Sequence, residues 1–141
     1  MRHALLLLLL VLGGCAPTPS TVTGTLRVEG KPLDNVQVLF MPDADAGNTQ
    51  PQAAGLTDDQ GRFTLSLPNG QPGCRPGQYR VVLIDFASSI AAGNEDARKR
   101  GTTPAAPVAV KPRLSAEYST ELRTPLRKTV GTGPQTINLD L

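Results

Sequence analysis

At 141 residues the chain holds one domain's worth of sequence. Fourteen Lys and Arg stand against twelve Asp and Glu, a formal net charge of +2, so no strong field exists to draw in nucleic acid or an acidic polymer. Thirteen prolines and fourteen glycines, with three phenylalanines, two tyrosines and no tryptophan, favour short strands joined by turns over a helical fold.

The chain opens on Met1-Arg2-His3, a small basic segment, followed by nine apolar residues from Ala4 to Leu12. A spanning helix needs roughly 20 apolar residues, so this run is too short to cross a bilayer. A basic start and a short apolar run are the pattern of a secretory signal, here predicted over residues 1–14. Cleavage after Ala16 would leave Pro17 as the first mature residue, and proline's ring makes it a poor neighbour for a protease. The other site lies before Cys15, where Leu12-Gly13-Gly14-Cys15 resembles the lipobox of bacterial lipoproteins.

In that family a diacylglycerol is joined to the cysteine sulfur, the signal is removed just before it, and the new amine is acylated, as with palmitate. The resemblance implies that Cys15 is the lipidation site and that a membrane is the chain's first partner. Each buried methylene contributes about 0.8 kcal/mol, so one acyl chain holds marginally and two or three hold stably. Ala16 is not the aspartate that marks inner-membrane retention in some bacteria, so an outer membrane is preferred.

Cys15 and Ala16-Pro17-Thr18-Pro19-Ser20 then form a proline-stiffened tether, residues 15–20. At 3.3–3.6 Å per residue it reaches about 20 Å at most, which keeps the following domain close to the bilayer. From Thr21 the hydrophobic period becomes two: Val22, Gly24, Leu26 and Val28 alternate with Thr23, Thr25, Arg27 and Glu29. Gly30-Lys31-Pro32 predicts a turn. Val36, Val38 and Phe40 oppose Gln37, Leu39 and Met41, a more central strand. A polar loop at 42–51 and a short strand near 53–57 follow.

Asp58-Asp59-Gln60-Gly61 is a turn signal, and Phe63, Leu65 and Leu67 alternate with polar residues behind it. After a loop at 68–77, Tyr79, Val81 and Leu83 oppose Arg80, Val82 and Ile84, both faces being partly apolar, as in a central strand. Residues 87–107 read as a flexible insertion, with a helical turn near 95–100. Leu126 and Val130 mark a further strand, weakened by Lys128 on the same face. Ile137, Leu139 and Leu141 mark the last. About seven short strands predict an all-β sandwich over 21–141, with all three phenylalanines in its core.

Several stretches bear a second resemblance. Gly24-Thr25-Leu26, Gly30-Lys31-Pro32-Leu33-Asp34-Asn35-Val36 and the strand to Phe40 are similar to the opening of carboxypeptidase regulatory-like domains, especially those of small bacterial lipoproteins. Thr57-Asp58-Asp59-Gln60-Gly61-Arg62-Phe63 resembles their central hairpin, and Pro76-Gly77-Gln78-Tyr79 the start of a core strand. Pro112 through Tyr118, then Thr124-Pro125-Leu126, resembles the closing region. The family implies a transthyretin-like, seven-stranded sandwich. Asp58, Asp59, Gly61 and Gly77 are turn residues in this reading, the glycines allowing positive φ and the aspartates accepting backbone hydrogens.

Catalysis finds little support. The one histidine, His3, leaves with the signal, which removes His-dependent triads and His-ligated zinc. The regulatory-like domain lacks the metal ligands of the peptidase it accompanies elsewhere. Transthyretin-related ureide hydrolases use histidines and a C-terminal tetrapeptide, whereas this chain ends Asn138-Leu139-Asp140-Leu141. No catalytic residue, cofactor or metal site is assigned.

Asp43-Ala44-Asp45 and the Asp58 turn lack the spaced ligand ladder of a calcium loop. Arg98-Lys99-Arg100 has Glu95 and Asp96 beside it and reads as a solvated loop rather than a lipid contact. Cys74 reads as a lone thiol in a turn-rich loop, the alternative being an intermolecular disulfide. Tyr118 is the candidate ligand contact.

The expected function is that of a membrane-anchored, noncatalytic envelope lipoprotein with a structural or protein-interaction role. Its partner would be an envelope protein or glycan, with exposed strand edges and the loops at 42–51 and 86–107 as contact surfaces. The alternative is a binding module for carbohydrate or a small molecule.

Overall fold

The computed structural model describes residues 17–87 and 112–141. The predicted signal at 1–14, Cys15, the Arg98-Lys99-Arg100 run and all but the first residue of the 87–107 insertion lie outside them. In chain order the strands are β1 (Val22–Val28), β2 (Lys31–Pro32), β3 (Val36–Pro42), β4 (Ala53–Leu56), β5 (Arg62–Thr64), β6 (Gly77–Asp85), β7 (Arg127–Val130), β8 (Gln135–Thr136) and β9 (Leu139–Asp140). Two 3-10 turns, Ala44–Ala46 and Ala116–Ser119, lie between them.

The strands form two sheets, and the described chain is all-β. In the first, β1 is central. Antiparallel β5 and β2 lie along one side, where Leu26 donates to Gly61 O at 2.7 Å and accepts from Leu33 N at 3.2 Å. β8 and β9 run parallel to β1 along the other side. The second sheet has the order β4-β3-β6-β7, all antiparallel, so β3 and β6 occupy the centre, as their two-faced apolar patterns predict.

One core joins the two sheets. Val22, Leu26, Phe63 and Leu139 from the first meet Val38, Phe40, Tyr79, Val81, Leu83 and Val130 from the second, all buried. Each such side chain contributes about 1.5–3 kcal/mol by leaving water. Phe40 and Tyr79 pack ring on ring with centroids 5.9 Å apart. At one corner the chain changes sheet: Leu65 N donates to Val22 O at 2.9 Å, and the next residue, Ser66, exchanges both backbone bonds with Ala54 of β4.

Four local expectations are corrected. Lys31 and Pro32 do not merely turn the chain, because they pair back onto Val28 and Arg27. The strand after Gly61 ends at Thr64, because Leu65–Ser66 crosses between sheets. The final strand is split at Ile137 and Asn138, where the Asn138 Oδ1 atom replaces a backbone acceptor for Thr25 N at 3.2 Å. Phe86 is not in the core. It follows β6 on the parity of Val82 and Ile84, which is the outer face, and is 39% exposed.

The segment at 112–123 is fastened to the rest by Arg113, whose guanidinium binds Asp34 Oδ1 at 2.9 Å, Asp34 O at 2.8 Å and the Asp85 carboxylate. Leu114, Tyr118 and Leu126 add apolar contacts with the core.

Candidate functional site

The described N-terminus is built into the fold. Ser20 and Cys74 exchange both backbone bonds, Ser20 N to Cys74 O at 2.7 Å and Cys74 N to Ser20 O at 2.9 Å. The buried Ser20 hydroxyl donates to Gly131 O at 2.9 Å and accepts from Gly133 N at 3.1 Å. Three residues earlier, Pro17 O accepts from Arg75 Nη1 at 3.1 Å. Part of the tether expected over 15–20 is thus docked on the domain, and only Ala16 separates Cys15 from a held residue. Serine in a proline-rich leader reads as linker, so sequence reasoning missed Ser20 and Arg75; both partners lie more than 50 residues away.

Cys74 is fully buried, its Sγ 3.7 Å from Arg75 O. Burial pushes its thiol pKa up, the outcome expected for an inert structural cysteine. The same carbonyl accepts from the Tyr79 hydroxyl at 2.8 Å, and burial holds that phenol above its usual range. Tyr79, fully buried, presents no ring to a ligand.

The Asp58 turn follows its sequence. Asp58 Oδ1 accepts from Gln60 N at 2.9 Å and Arg62 N at 2.8 Å, and Oδ2 accepts from Arg62 Nε at 2.9 Å. These bonds, the Arg62 backbone N–H first, hold the Asp58 pKa below its usual value. Gly61 has φ +71°, where a side chain is strained, and an added β-carbon would lie 2.5 Å from Leu26 O. Asp59 is exposed at the tip. Gly77 begins β6 with φ +157°, and the Asn48 amide passes 2.7 Å from where a β-carbon would stand.

The acidic loop at 43–45 is occupied by arginines. Arg80 Nε donates to the buried Asp43 at 3.0 Å, its Nη2 pairs with Asp45, and Arg127 Nη1 lies 3.4 Å from Asp43 Oδ2. Burial opposes the Arg80 charge, but the two carboxylates outweigh it and raise its pKa. Among the described residues no group of three or more His, Cys, Asp or Glu is placed to hold a metal ion.

Tyr118 lies half-buried on the 3-10 turn Ala116–Ser119, its ring packed against the core rather than displayed. Phe86 and the 55% exposed Leu56 border a shallow recess of about 250 Å³ with Gln37. A concavity of about 610 Å³ is an open cleft on the outer face of β1, β5 and β8. Thr23, Thr25, Thr64 and Thr136 line it with hydroxyls, beside the Arg62–Asp58 pair. Strand parity in the sequence already groups Thr23, Thr25 and Thr64 on one face.

The chain matches no known family model, no curated protein and no solved structure. No helix among the described residues is long and apolar enough to cross a membrane.

Proposed function

We propose that this chain is a lipid-anchored, noncatalytic envelope protein: a small β-sandwich module tied to a bacterial membrane through Cys15, with a structural or protein-interaction role. The observation that carries the reading is the Leu12-Gly13-Gly14-Cys15 motif directly behind the apolar run at 4–12; the contact between Arg75 and Pro17 O adds the position of the domain. That contact brings the folded domain to within two residues of the cysteine that closes the motif.

The sheets support the carboxypeptidase regulatory-like, transthyretin-like assignment. With β8 and β9 taken as one interrupted strand and β2 as a short return onto β1, seven main strands remain. The noncatalytic part rests on how the charged side chains are used. Asp43 and Asp45 pair with Arg80, Asp34 and Asp85 with Arg113, and Asp58 with Arg62, so these groups serve the fold.

The threonine-lined cleft favours a second reading, a module that binds carbohydrate or a small polar molecule through hydroxyl and Arg62–Asp58 contacts. Mass spectrometry of the mature N-terminus tests the first reading. The expected product begins at a diacylglyceryl-modified Cys15, and Cys15→Ala should leave the protein unprocessed or released from membranes. An unacylated mature start elsewhere overturns the anchoring.

A further inference from the structure

The two ends of the fold differ in charge, and only one is next to Cys15. The end bearing Ser20 also carries the loop at 68–76, the turn at 131–134 and the loop at 43–51, because Ser20 bonds to Cys74, Gly131 and Gly133, and Asp43 N bonds to Gln78 O at 2.9 Å. The opposite end carries residues 29–35 and the turn at 58–61: Glu29 N donates to Leu141 O, and Leu26 joins Gly61 and Leu33. Asp85 and Arg113 lie at that same end, bound to Asp34.

The 131–134 turn, Gly131-Thr132-Gly133-Pro134, has no charged residue, and Arg75 is the one charge within 68–76. In 43–51 the two aspartates are balanced by Arg80 and Arg127. The far end has Glu29, Asp34, Asp58, Asp59 and Asp85 against Lys31, Arg62 and Arg113, so it stays acidic with its ion pairs counted. A charge pressed against lipid must be desolvated, and carboxylates are further repelled by an anionic surface.

Length sharpens the argument. From Cys15 to Pro17 is two residues, about 7 Å when fully extended. The headgroup layer on each side of a bilayer is about 5–7 Å thick, so an acylated Cys15 leaves no slack above it. β1 separates the two ends by its seven residues, about 24 Å at strand rise.

We infer that the domain stands end-on on the lipid surface, with the turn at 131–134 and the loop at 68–76 against the headgroups and the charged loops at 29–35 and 58–61 facing away. This rests on the proposed lipid anchor. It makes the far end the surface offered to a partner in the envelope. Ala87 and Pro112 belong to that end, since Phe86 N bonds to Asn35 O and Arg113 to Asp34.

The test uses full-length, natively lipidated protein in vesicles containing a headgroup-nitroxide lipid. A fluorophore is placed on Thr132→Cys or on Asp59→Cys, both positions being exposed, while the buried Cys74 stays unlabelled. Protein without an added cysteine gives the background. Quenching severalfold stronger at position 132 than at 59 supports the orientation. Equal quenching, or stronger quenching at 59, in protein that sediments with the vesicles overturns the orientation alone. Protein that does not sediment with them overturns the anchor, and the orientation with it.

Discussion

The carbonyl oxygen of Ile137 lies 2.0 Å from the position that a β-carbon on Gly24 would occupy. The last strand therefore crosses the first at a point where only a hydrogen fits. The Phe63 ring, 2.6 Å away on the core side, closes off the other direction. Gly24→Ala must push the Ile137 backbone off β1 or displace a buried ring. A cost of about 3 kcal/mol, the upper end for overpacking, is expected, with a fall in Tm of roughly 10 °C. Thermal unfolding checks it, and hydrogen exchange should show Ile137 and Leu139 losing protection first.

Thr57 offers a second, smaller test. It is buried, and its hydroxyl accepts from Val36 N at 3.0 Å while its backbone bonds to Asn35 and Val36. Thr57→Val keeps the shape and leaves the Val36 N–H without that acceptor, a loss of about 1–3 kcal/mol. Thr57→Ser keeps the bond and loses one methyl, about 0.8 kcal/mol. Urea unfolding should rank the two in that order with unchanged m-values. A valine variant as stable as the serine one contradicts the assignment.

The strands were legible because alternation is local. Val22, Leu26, Val36, Val38, Phe40, Tyr79, Val81 and Leu83 all point inward as their spacing predicts. Phe86 is as apolar as the core phenylalanines, yet its parity with Val82 and Ile84 puts it on the outer face, so position outweighs hydrophobicity there. The Asp58 turn was legible because its bonds reach only two to four residues. The split of the last strand depends on Asn138 meeting Thr25 across 113 residues, and the Arg113 clamp on Asp34 across 79. The docking of Pro17 on Arg75 spans 58. Such contacts leave no periodic trace, and they are the ones that define which end adjoins Cys15.

Acid should loosen the fold in a defined window. Arg113 is the main cause that lowers the Asp34 pKa, and backbone N–H groups lower that of Asp58, both from an ordinary value of 3.8. A carboxylate depressed in the folded state contributes fully above its unfolded pKa and loses that contribution as pH falls through the folded one. Tm should therefore be nearly flat from about pH 7 to 5 and decline below about pH 4. Both groups are solvent-accessible, so each contributes modestly. Asp34→Asn removes one titration and should make the acid decline shallower while lowering Tm slightly at neutral pH.

Cys74 should be nearly silent to thiol reagents. Its sulfur is fully buried, burial keeps it protonated, and its backbone is held by two bonds to Ser20. Reaction then requires that the Ser20–Cys74 pairing open. Labelling in native buffer is expected to be at least about a hundredfold slower than in denaturant, since only the opened population reacts. Ser20→Ala removes the hydroxyl that holds Gly131 and Gly133, so it should speed labelling without changing the rate in denaturant. Non-reducing electrophoresis of the native protein should show a single monomer band. A disulfide-linked dimer, or labelling at the denatured rate, would mean that this end is open rather than sealed around Cys74.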